Sequence, residues 1–87
     1  MYFIIKRYMD NLSINDLNNL ALSNGIVFSD KELEFSYEFV KKNWSSILSN
    51  KGLFDINKYK ERFSDENFKK LKDLYKEMLF KYGNYLK

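Results

Sequence analysis

The chain has no cysteine, no histidine and no proline, and only three glycines in 87 residues. Without cysteine or histidine, disulfide frameworks, zinc fingers, haem ligation, Cys–His nucleophiles and Ser–His triads are all excluded. Gly25, Gly52 and Gly83 stand too far apart to build a phosphate-cradling loop or a dinucleotide fingerprint. The apolar stretch Tyr2-Phe3-Ile4-Ile5 is far too short for a membrane span or a signal-peptide core. A cytoplasmic, non-enzymatic protein with no cofactor and no membrane contact is the expectation. At 10.6 kDa the chain buries roughly 64% of its unfolded surface. That suffices for one modest core, and residues 1–87 read as a single domain.

What is present is lysine, aromatics and a polarised charge. Of 15 basic residues 13 are lysine, and the net charge is +3. Residues 1–40 carry −3 and residues 41–87 carry +6. Either the charges of the two halves face each other or are simply solvated, or the basic half meets an acidic partner.

Four places share one local grammar, an apolar residue, then Ser or Asp, then a second apolar residue four positions after that cap. They are Leu12-Ser13…Leu17, Phe28-Ser29…Leu33, Phe54-Asp55…Tyr59 and Phe63-Ser64…Phe68. The cap oxygen accepts from an otherwise unpaired amide of the first turn, and the flanking pair closes as a hydrophobic staple. Ser29 with Glu32 completes a capping box, while Asp16, Asp30, Asp65 and Glu66 put negative charge where the helix dipole favours it. Gly25 and Asn50-Lys51-Gly52 read as stops. The expected helices are 2–10, 14–24, 30–50, 56–62 and 65–83, an all-α bundle of four to five helices, two of them long and amphipathic.

The third element carries a stripe at Leu33, Tyr37, Val40, Trp44, Ile47 and Leu48, with Phe35 and Phe39 off it. The last carries Phe68, Leu71, Tyr75, Met78, Leu79 and Tyr82. Trp44, in the middle of the longest stripe, is expected to anchor the core against the final helix. Phe28-Ser29-Asp30 recurs as Phe63-Ser64-Asp65, 35 residues on, but two copies do not make a stacked array and the following residues diverge.

Candidate chemistry is sparse. Glu34 and Glu38 share a helical face but lack a histidine or a second carboxylate helix to complete a di-metal site. They read as a solvated stripe, or as the phosphate-mimicking face of a small inhibitor of a nucleic-acid enzyme. Asp55-Ile56-Asn57 lacks the glycine and terminal glutamate of a calcium loop and reads as a cap. Lys60, Lys69, Lys70, Lys72 and Lys76, interleaved with aromatics, are the candidate nucleic-acid contacts, against the reading of an ordinary solvated face with pairs such as Lys69–Asp73. Sixteen aromatics exceed what so small a core encloses. Tyr2, Phe3, Phe35, Phe39 and Phe80 are therefore the candidate surface for a protein partner or a homodimer, and protein association is the first expectation.

The run from Leu12-Ser13 through Ala21 and Gly25-Ile26 to Ser29-Asp30-Lys31-Glu32-Leu33 resembles the helix–extended-loop–helix of SAP-type and Rho N-terminal-type modules, which implies nucleic-acid contact. As a helix-turn-helix it would turn Asp30, Glu32 and Glu34 toward a polyanion, which opposes that use. With Phe54-Asp55 and the Ser64 helix start added, the layout resembles the small YqfT-like proteins of Bacillota, a domain family of unknown function, over residues 6–82. The chain departs from it in the aromatic-rich stretch Phe35-Ser36-Tyr37-Glu38-Phe39 and in Trp44. The resemblance implies a bacterial, cytosolic helical domain and brings no activity with it.

Overall fold

A computed structural model describes residues 2–49 and 54–82, apart from the side chains of Tyr2, Leu48, Leu79, Lys81 and Tyr82. The elements are α1 (Tyr2–Asp10), α2 (Ile14–Ser23), α3 (Asp30–Ser49), a 3-10 helix (Ile56–Arg62) and α4 (Asp65–Tyr82). Among the described residues there is no strand, so the all-α reading holds. The expected Asn50-Lys51-Gly52 stop lies outside the described residues.

All four caps form. The Ser13 hydroxyl accepts from the Asp16 amide at 3.1 Å and the Asp16 carboxylate accepts from the Ser13 amide at 3.0 Å, a full capping box. Those bonds hold the Asp16 carboxyl below the ordinary aspartate value. Ser29 and Glu32 close the second box, Asp55 accepts from the Asn57 amide, and the Ser64 hydroxyl accepts from the Asn67 amide. At the other end of α2, Gly25 takes φ +77°. The Ile26 and Gly25 amides bond back to the Ala21 and Leu22 carbonyls at 2.8 and 3.0 Å, the Schellman arrangement. It drives Ile26 inward against Ala21, and both are buried.

The core is small: Leu12, Ala21, Ile26 and Phe68 are its buried apolar residues among those described. Trp44, expected as the anchor, is only half-buried. Its helix is also tied to α1 by polar groups. From α3, the Tyr37 hydroxyl donates to the Leu12 carbonyl at 2.9 Å, and the Lys41 ammonium donates to the Met9 and Asp10 carbonyls at 2.8 and 3.0 Å. The terminal carbonyls of α1 are thereby satisfied by a cation where the dipole wants one.

The 3-10 helix runs back along the first half of α3 beneath a chain of rings. Phe28–Phe63, Phe63–Phe35, Phe35–Phe39, Phe39–Tyr59, Phe39–Phe54 and Phe54–Tyr75 stand with centroids between 4.7 and 5.9 Å, the range of favourable aromatic contacts. Arg62 covers Phe35 at 4.9 Å. Phe35 and Phe39, expected on an exposed partner surface, are thus half-buried within the molecule. They lie off the main stripe of α3 because they hold a second partner, the returning 3-10 helix.

Candidate functional site

The most constrained polar group is Glu32, buried at the third helical position of α3. Its Oε1 accepts from the Ser29 amide at 2.8 Å and from the Asn67 side-chain amide at 2.9 Å, and its Oε2 accepts from the Ser64 amide at 2.8 Å. Asn67 also donates to the Val27 carbonyl. Asn67 holds the third position of α4, and the residues before each cap, Phe28 and Phe63, pack in a tilted pair with ring centroids 5.9 Å apart. The repeated Phe-Ser-Asp starts therefore meet face to face, and Glu32 completes the capping box of both helices. Burial pushes the Glu32 carboxyl up, but the amides of Ser29 and Ser64, the Asn67 side chain and the Ser29 hydroxyl outweigh it, and its pKa is lowered. A carboxylate held ionised with both oxygens occupied makes a structural clamp and a poor proton donor.

The five candidate lysines separate. Lys70 turns inward, donating to the Gly25 carbonyl at 2.8 Å and pairing with Glu66 at 3.3 Å; it ties α4 to the end of α2. Glu66–Lys70 is an ion pair within α4, and Lys69 and Asp73 do not come within ion-pair distance of each other. Lys60, Lys69 and Lys72 come together around an open cleft of about 350 Å³, lined also by Asn57, Asp65 and Phe68. Lys72 is half-buried and donates to Asn57 at 3.1 Å. Lys76 lies outside the cleft lining, exposed one turn beyond Lys72.

Of the candidate partner surface, Phe3 is 81% exposed and Phe80 85% exposed; the Tyr2 side chain lies outside those described. Sequence reasoning missed Ile4, 69% exposed beside Tyr8 at 59%. At 100° per residue, Ile4, Tyr8, Ile5 and Met9 span an arc of about 140° on α1. The chain half-buries Ile5 and Met9 and leaves Ile4 and Tyr8 in water. A helical projection of residues 2–10 carries that signal; counting aromatics alone does not, because Ile4 is aliphatic. Glu34 and Glu38 are exposed on α3. Among the described residues no group of acidic side chains is placed to hold a metal ion, and no helix is long and apolar enough to cross a membrane.

No known protein family, curated protein or solved structure matches the chain.

Proposed function

We propose that this chain is a non-enzymatic helical assembly module that associates with protein through the uncovered half of the apolar arc of α1, and that the occupant is a second copy of the chain. The observation that carries the reading is Ile4 and Tyr8 standing in water on a short helix whose neighbouring apolar residues Ile5 and Met9 are half-buried. A helix apolar around so much of its circumference calls for cover on two sides.

The non-enzymatic part of the proposal is supported by Glu32, whose acceptor positions serve two helix caps. The cytosolic setting and the kinship to YqfT-like proteins remain part of the same proposal, supported by the cap layout from Ser13 to Ser64.

Light scattering across a roughly hundredfold range of protein concentration tests the reading. A mass of twice 10.6 kDa that reverts to the single-chain value in Ile4→Glu and in Tyr8→Glu is the expected result. A single-chain mass throughout contradicts self-association.

A further inference from the structure

A second surface, on a different element from α1, carries an inference that does not depend on that interface. On α4 the positions of Lys69, Lys72, Lys76 and Phe80 succeed one another by three, four and four residues, so they share one face, with axial steps of about 4.5, 6 and 6 Å. From the 3-10 helix Lys60 joins Lys69 and Lys72 around the cleft, three cations in a lining whose one carboxylate is Asp65. Asp65 falls on the same face, Asp73 at its edge about 20° from Phe80, and Glu77 farther round.

These lysines also differ from others in the chain in how they are neutralised. Lys6 pairs with Asp10 and Lys70 with Glu66. Among the described residues no carboxylate comes within ion-pair distance of Lys60, Lys69, Lys72 or Lys76; Lys72 meets only the neutral Asn57. Lysines held in a row with no carboxylate within ion-pair distance favour a polyanion.

The stripe ends on Phe80, whose ring is 85% exposed and one turn beyond Lys76. An exposed ring is expensive in water unless something stacks on it, and a base offers a flat face to stack. A duplex keeps its bases inside, so a ring beside a row of lysines favours a single strand. We propose that the face formed by Lys60, Lys69, Lys72, Lys76 and Phe80 binds single-stranded nucleic acid, the lysines following successive phosphates from the cleft outward and Phe80 stacking on a base.

Fluorescence anisotropy with a labelled single-stranded oligonucleotide tests this, beside the matching duplex and vesicles containing anionic phospholipid. Single-strand binding is expected to weaken with salt, with a log–log slope of about −3 for four phosphate contacts. The triple variant Lys60→Gln/Lys69→Gln/Lys76→Gln lowers affinity at least tenfold and brings the slope to about −1. It spares Lys72 and Lys70, which tie elements together, and circular dichroism confirms that its helices are intact. Phe80→Ala weakens binding roughly five- to 100-fold with the slope unchanged, the mark of stacking rather than charge. Lys31→Gln/Lys42→Gln, on exposed positions of α3, leaves binding unaltered. No binding at low salt, an undiminished affinity in the triple variant or in Phe80→Ala, or tighter binding to the duplex or to vesicles overturns the proposal.

Discussion

At the scale of single residues the molecule depends most on Glu32, because one carboxylate answers amides from the starts of two helices. Replacing it with glutamine keeps the shape but weakens three bonds to a charged acceptor and turns a donor toward at least one of those amides. Glu32→Gln is expected to cost about 2 kcal/mol, a fall in Tm of roughly 10 °C for a domain of this size. The pH dependence follows from the lowered pKa. The folded chain binds the ionised form preferentially, so the contribution is complete above the ordinary glutamate value of 4.5 and is lost as pH falls through the lowered folded value. Thermal melts of the two proteins therefore converge as the medium is acidified below that value. The box of Ser29 and Glu32 was legible in the sequence as a spacing of three. The reach of Glu32 to Ser64, 32 residues away, was not, since no local pattern records which helix start lies beside which. Lys41 shows the same limit. It reads as one more solvated lysine on α3, yet it closes the end of α1. Lys41→Met retains the stem and removes the charge, and we expect a loss of about 1 kcal/mol with faster amide exchange confined to residues 2–10.

At the scale of elements, helix starts and stops were readable because caps are local: Ser13, Ser29, Asp55 and Ser64 each meet an amide two or three positions on. What the pattern left open was which apolar residues go inside. Phe35 and Phe39 lie off the α3 stripe, and only the return of the 3-10 helix, through Tyr59 and Phe54, turns them into packing residues. Trp44 lies on the stripe and is still half-exposed, because the buried centre gathers around Ile26 and Phe68, where α2 ends and α4 begins. A seven-residue 3-10 helix has poor hydrogen-bond geometry and no length to sustain itself. It is held by rings alone along one side. Phe39→Ala, which removes a ring touching Phe35, Phe54 and Tyr59, is expected to cost about 2 kcal/mol. Amide exchange across 56–62 then rises to the unprotected rate while α2 and the first half of α3 stay protected.

At the scale of the whole molecule, the radius of gyration is 12.6 Å, close to the roughly 12 Å of a compact chain of this length. Compactness is thus reached with few fully buried side chains and with much of the aromatic content half-covered. The charge imbalance between the two halves, visible in composition, becomes in three dimensions a set of unneutralised lysines on α4 and the 3-10 helix. The apolar surplus, also visible in composition, is spread among the described residues over α1 (Phe3, Ile4, Tyr8), α2 and the turn after it (Ile14, Leu20, Leu22, Val27) and α4 (Met78, Phe80). Both proposed surfaces lie on the outside of the fold, while the buried Glu32 and Asn67 tie the starts of two helices together. The most direct test of that account is hydrogen exchange on residues 2–10 of the unmodified protein, followed as a function of protein concentration. If a second copy covers Ile4 and Tyr8, protection of the α1 amides rises as the dimer fills, and it stays low in Ile4→Glu. Protection of α1 that is independent of concentration would contradict the account.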